Sequence, residues 1–164
     1  MKAINVAEYF LYKANEDGEL ITNLKMQKLL YYAQAWYLVN FNKPLFDDEI
    51  EAWSFGPVIR SVYQKYKEFG HTPIIYDNKK GEILKKFSKT DQEFLNEFYD
   101  KFINYTAHDL VSLSHSEDPF IEAYNSLSKL ISLKKMKHFY SKQYKYLHWP
   151  GKKLYTQVYF MDMR

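Results

Sequence analysis

Apolar positions are densest between Asn23 and Phe41, in the stretch NLKMQKLLYYAQAWYLVNF. At 100° per residue, Met26, Leu29, Leu30, Ala33, Trp36, Tyr37 and Phe41 fall on one face, the spacing of an amphipathic helix. Tyr31, Tyr32, Ala35, Leu38 and Val39 make the opposite face apolar as well. A helix apolar all round is normally enclosed by its own domain, so this stretch is expected to be a central buried helix. Asn23 is the expected N-cap, and Asn42-Lys43-Pro44 ends it.

The rest of the pattern is built around that helix. Residues 3–15 predict a first helix with Ile4, Ala7, Phe10, Leu11 and Ala14 on one side, packed on the central one and stopped before Gly18. Ile50-Glu51-Ala52-Trp53 reads as a short strand or extended turn, and Gly56-Pro57 as a sharp bend with Pro57 opening a third helix from Val58 to Phe69. Residues 71–89 are the least helical and suggest a hairpin around Ile74-Ile75-Tyr76. Thr90 with Glu93 forms a capping-box signature for a helix that turns Phe94, Leu95, Phe98, Phe102 and Ile103 inward. Short helices follow from Ala107 to Ser114, from Pro119 to Tyr124, and from a cap at Ser132 through Tyr140. Trp149-Pro150-Gly151 marks a turn, and Lys153 to Met161 favours a strand. The expected fold is mainly α, a single helical domain around the helix at 23–41, with a small β-sheet or hairpin.

Composition narrows the function classes. The chain of 164 residues suffices for one domain and lacks cysteine, which removes disulfides, thiolate metal sites and cysteine nucleophiles and makes the cytoplasm the expected compartment. No run approaches the roughly 18 apolar residues of a membrane span, so neither a membrane nor an export signal is expected. Sixteen Tyr and twelve Phe must be buried in a core or in a partner. From Lys129 onward nine basic residues stand against Asp162 alone, a local +8; the net charge of +3 leaves −5 on the first 128 residues. An acidic body with a basic end suggests that the end folds back or meets an acidic partner, nucleic acid included. Lysines there alternate with Tyr140, Tyr144, Trp149 and Tyr155, a composition suited to single-stranded nucleic acid or to protein docking.

Catalytic patterns are scarce. The five glycines are scattered, which excludes a P-loop or a dinucleotide fingerprint. His108 and His115 lie near Asp109, Glu117 and Asp118, so a hydrolase or metal-dependent enzyme centred on His115 is an alternative, although no nucleophile elbow surrounds Ser114-His115. Gln27 and Gln34, one heptad apart on the central helix, are expected to hydrogen-bond backbone of neighbouring segments, while Lys25 and Lys28 are expected to snorkel along its apolar surface.

Three stretches together resemble one family. They are Leu24-Lys25-Met26-Gln27-Lys28-Leu29-Leu30-Tyr31-Tyr32-Ala33-Gln34-Ala35-Trp36, then Glu51-Ala52-Trp53-Ser54-Phe55-Gly56-Pro57-Val58 with Tyr63-Gln64-Lys65-Tyr66, and finally Leu110-Val111-Ser112-Leu113-Ser114-His115-Ser116-Glu117-Asp118-Pro119. In this order they are similar to the Panacea domain of SocA-like antitoxins, over residues 3–141. Ser114 stands where the family usually has threonine, and Phe120 where tryptophan commonly follows the proline. The resemblance implies a mostly helical antitoxin that neutralises a co-encoded protein toxin by direct binding. Family members sit beside unrelated toxins in bacterial and prophage genomes, and one acts as an adaptor delivering its toxin to a protease. The resemblance supplies no catalytic residue, cofactor or metal. It sets residues 1–141 as the domain and 142–164 as a basic, aromatic extension packed on or beside it. Lys25, Gln27, Lys28, Tyr32, Gln34, Trp36, Gly56, Pro57, His115 and Pro119 are then structural motif residues. Interface anchors are commonly aromatic, so Trp53, Phe55, Tyr140, Tyr144, Trp149 and Tyr155 are the expected partner-binding residues. A nucleic-acid-binding regulator using the basic end remains the first alternative.

Overall fold

Thr22, one residue earlier than expected, caps the central helix: the Lys25 N–H donates to its hydroxyl at 3.2 Å. Asn23 is therefore the first helical residue, and its amide is free to bond the Tyr63 carbonyl at 3.2 Å. This helix, α2 (Asn23–Phe41), ends at Asn42 in the left-handed region (φ 56°), just before Lys43-Pro44. The computed structural model describes residues 1–77 and 80–143. Fourteen of the 19 residues of α2 are buried, Tyr31 and Leu38 from its second apolar face among them, so the helix is enclosed as its pattern requires. Each large side chain so buried contributes on the order of 1.5–3 kcal/mol.

The enclosing elements follow in chain order. Helix α1 (Ala3–Asp17) stops at Gly18 (φ 72°) and packs on α2. Strands β1 (Glu51–Trp53) and β2 (Gly56–Val58) pair antiparallel, with Glu51 opposite Val58 and Trp53 opposite Gly56. Helix α3 (Arg60–Tyr66) continues as a 3-10 turn (Lys67–Phe69). Then come α4 (Lys80–Leu84), α5 (Lys89–Phe102), α6 (Ala107–His115), α7 (Asp118–Asn125) and α8 (Leu133–Gln143). Around α2 stand α1, α3, α5, α6, α8 and β2, while α7 packs on β1, α6 and α8.

Three local expectations are corrected. Pro57 does not open a helix but sits in β2, opposite Ala52. Its missing N–H costs nothing there, because that pair is not hydrogen-bonded across the two strands: Ala52 turns its own N–H outward to the Lys129 carbonyl at 2.8 Å. Thr90 does not cap α5; Ser88 does, with its hydroxyl accepting from the Asp91 N–H at 3.2 Å, the same three-residue spacing started two residues earlier. Residues 71–77 pair not within their own stretch but with the chain ahead of α2. Thr22 bridges Pro73, and the Ile74 N–H donates to the Ile21 carbonyl at 2.9 Å.

The Ile131 N–H donates to the Ile50 carbonyl at 2.9 Å and Leu130 bridges Glu51, so residues 129–131 lie along the outer edge of β1 as a third extended segment. Most of the aromatic excess is absorbed by the core. Phe98 stacks on Phe102 at 4.3 Å, Phe10 on Phe98 at 5.6 Å and Tyr32 on Phe102 at 5.6 Å. Offset stacks of this kind add roughly 0.5–1.5 kcal/mol per pair to the area they bury.

Candidate partner-binding surface

The polar residues of α2 tie it to the segments around it, the β1–β2 hairpin among them. Gln34 donates to the Phe46 carbonyl at 2.8 Å and accepts from the Leu45 and Phe46 N–H groups at 2.7 and 3.2 Å. Gln27 accepts from the Ile59 N–H at 2.8 Å and donates to the Asn23 side chain at 2.9 Å. Both amides thus fix backbone of neighbouring segments, as expected of enclosed amides.

Lys28 departs from expectation. It does not snorkel: its side chain is 0 % exposed, and its ammonium donates to the Pro57 carbonyl at 2.8 Å. Burial pushes the amine down to about 7. The carbonyl it takes belongs to a residue of β2 whose strand edge faces α2, so the lysine replaces a missing strand partner. Gly56 (φ 95°) makes this approach possible, because a Cβ there would lie 2.8 Å from Lys28 Cε and 3.0 Å from Ser114 Oγ. Lys25 likewise spends its ammonium on a carbonyl, that of Ile103 at 2.6 Å.

The clamped hairpin turns through Ser54 and Phe55 only, and Phe55 stands 72 % exposed at its tip. Trp53 is half-buried: its indole N–H donates to Glu51 at 2.8 Å, its ring meets Tyr63 edge-on at 5.0 Å, and the Arg60 guanidinium lies 5.3 Å over it. Arg60 also pairs with Glu51 at 2.6 Å, which holds that carboxyl below its ordinary range. Beside the tip opens a groove of about 720 Å³, walled by Leu24, Trp53, Phe55, Tyr63 and Tyr124 and edged by Lys67 and Lys129. The sequence reading assigned none of Leu24, Tyr63, Lys67, Tyr124 and Lys129 to a partner surface. Leu24 and Tyr63 stood there only within the family motifs and Lys129 only as the start of the basic end, while nothing marked Lys67 or Tyr124 for such a surface.

The other expected residues lie apart from this surface. Tyr140 was expected to face a partner, yet it is 0 % exposed and its hydroxyl donates to Glu117. The reason is the periodicity of α8, which lays Met136 and Tyr140 against α2. Glu117 also accepts from the Tyr32 hydroxyl at 3.3 Å, and burial raises its carboxyl to about 7 against those hydrogen bonds. Tyr144, Trp149, Tyr155 and the strand expected at 153–161 lie outside the described residues. Trp36 meets Phe102 edge-on at 6.3 Å, and Pro119 stands buried in the first turn of α7.

The arrangement at His115 does not suit acyl transfer. Ser114 is buried and its hydroxyl donates to the Val111 carbonyl at 2.9 Å, while His115 is exposed and stacks flat on Phe120 at 4.7 Å. Burial, and then the nearby Lys28 charge, lowers the imidazole below its ordinary value. Among the described residues no three His, Asp or Glu side chains gather as they would to hold a metal ion. No helix among them is long and apolar enough to cross a membrane.

Comparison with known proteins points to the same family. Antitoxin SocA of Caulobacter vibrioides is 42% identical over 79 residues, which take in 48% of this chain and 42% of that protein. The chain therefore matches less than half the length of this relative. No solved structure matches. A family model described as antitoxin SocA-like, Panacea domain, matches residues 26–120, from the core of α2 through the hairpin to the first turn of α7. That match spans more than half of the 164 residues, and the chain belongs to the SocA-like antitoxin family as a Panacea-domain protein.

Proposed function

We propose that this chain is an antitoxin which neutralises a co-encoded protein toxin by binding it directly, and that the Phe55 face is where the toxin docks. The observation that carries the reading is the placement of Phe55. A large aromatic side chain is held in solvent on a two-residue turn, and the strands beneath it are held by a buried lysine on Pro57, the Gln27 amide on Ile59 at the end of β2, and the close approach that Gly56 allows. An aromatic anchor presented on a rigid support loses little conformational entropy on binding, which is the economy of a preorganised interface. Hot spots are typically such aromatics, worth 2 kcal/mol or more when truncated. The family membership supports the same role.

The test is co-expression with the adjacent gene. The neighbour should arrest growth alone and be harmless with this chain. Phe55→Ala and Phe55→Asp should abolish rescue and co-purification while the melting temperature stays unchanged, since so exposed a side chain contributes little to folding. A neighbour that is harmless alone would count against the antitoxin role. Rescue by Phe55→Asp as good as by the parent chain would move the docking face elsewhere. Delivery of the bound toxin to a protease, the further role the family resemblance suggests, predicts that the toxin's half-life shortens when this chain is present. An unchanged half-life leaves neutralisation by binding alone.

A further inference from the structure

The groove beside Phe55 has a chemistry that narrows what it binds. Its floor is already satisfied: Asn23 donates to Tyr63 and accepts from Gln27, and Gln27 accepts from Ile59. Both amides are already engaged with the fold, which leaves the aromatic walls and the charged rim as the distinctive recognition surface of the groove. The walls are aromatic and aliphatic. On the rim, the charge of Arg60 is matched by Glu51, whereas Lys67 and Lys129 form no ion pair among the described residues. Both are exposed, and the Lys129 ammonium rests over the Tyr124 ring at 4.6 Å and donates to that residue's carbonyl. The groove therefore combines an apolar lining with two lysines that form no ion pair among the described residues.

We infer that the groove takes an acidic segment of the toxin, one that lays an apolar side chain against Phe55 and Trp53 and sets carboxylates near Lys67 and Lys129. The inference rests on the antitoxin reading. Complementary rim charges act mainly by steering encounter and excluding wrong partners, and the apolar anchor holds the complex once formed. This division of labour separates the two residue classes experimentally: Phe55 governs dissociation, and the lysines govern association and its salt dependence.

The experiment measures binding kinetics of the full chain with the purified product of the adjacent gene, at 50 mM and 500 mM salt, for the parent, Lys67→Glu, and Lys67→Glu with Lys129→Glu. The Lys67 side chain makes no hydrogen bond or ion pair among the described residues, so Lys67→Glu alone keeps the test valid if Lys129→Glu disturbs its loop; far-UV circular dichroism monitors the fold. The association rate is expected to fall about tenfold or more in the double variant, with most of the salt dependence gone. Replacing acidic residues of the toxin by lysine should restore it. If the parent chain binds and rescues growth, but reversing both lysines changes neither rate nor salt dependence, the acidic-segment inference fails and the antitoxin reading stands. If the parent neither binds nor rescues, both fail. If the parent self-associates in gel filtration and charge reversal dissolves that assembly, a second copy of this chain fills the groove and the inference is overturned.

Discussion

Lys28→Met offers the most discriminating test of how the hairpin is held, because it separates what the lysine costs from what it holds in place. The amine is fully enclosed with one carbonyl partner, and its folded value near 7 lies well below the ordinary 10.5. A difference of that size corresponds to roughly 5 kcal/mol lost to desolvation at pH 6, at about 1.4 kcal/mol per unit. Since the unfolded chain binds the proton more tightly, the contribution of Lys28 to stability should be lowest below pH 7 and rise as the pH climbs toward 10.5. Between pH 7 and pH 9 the gain is about 2 kcal/mol, because the folded amine is already half deprotonated at pH 7. Methionine fills the space without the charge but strands the Pro57 carbonyl, a penalty of roughly 1–3 kcal/mol. Lys28→Met should therefore be more stable than the parent at pH 6, by about 2–4 kcal/mol, and close to it at pH 9. Urea unfolding at pH 6, 7, 8 and 9 measures both quantities. This range avoids the buried tyrosines, whose raised ionisation lowers stability only at higher pH. If the variant keeps the parent's slope between pH 7 and pH 9, Lys28 is not the titrating group and the buried-amine argument is refuted.

Further outcomes follow from the same geometry. Glu117, raised to about 7, destabilises the fold when ionised, so stability should fall as the pH rises from 4.5 to 7; Glu117→Gln should remove that limb, worth about 3 kcal/mol, in the same unfolding series. Together the two buried groups place a stability minimum near pH 7. Gly56→Ala meets both a left-handed φ of 95° and a 2.8 Å contact with Lys28, and is expected to lose about 2–4 kcal/mol in thermal or urea melts, with rescue of growth lost in step. Gln34→Leu leaves two buried N–H groups and one carbonyl near Phe46 without their amide, at a cost of about 2–5 kcal/mol by the same assay.

How far the chain could be understood before its coordinates depends on whether a feature is periodic or relational. The enclosure of α2 was legible because an all-round apolar helix has no other stable setting, and Tyr31 and Leu38 are buried accordingly. The roles of Gln27 and Gln34 were legible for a related reason, since an amide on such a helix must find a backbone partner. The order of helices followed from spacing and caps except for α4, a single turn-and-a-half inside the stretch 71–89 that reads as the least helical. Their boundaries slipped by one or two residues where two capping residues stood close together, as with Thr22 beside Asn23 and Ser88 beside Thr90.

Tertiary structure settled the rest. Nothing local distinguishes Lys28, driven inward to satisfy a strand carbonyl, from Lys25, whose side chain stays only partly covered. Pro57 looked like a helix start until pairing with Ala52 made it a strand residue. Tyr140 and Phe55 are both aromatics that composition alone offers to a partner. The docking of α8 on α2 withdraws the first into the core, and the tight turn of the hairpin pushes the second into solvent. Residues as distant as Leu24, Lys67 and Lys129 meet on one groove only after the chain closes. Hydrophobic period fixes which face of an element is buried, but the partner of a buried charge and the lining of a surface groove come from segments far apart in the chain, and spacing carries no record of them.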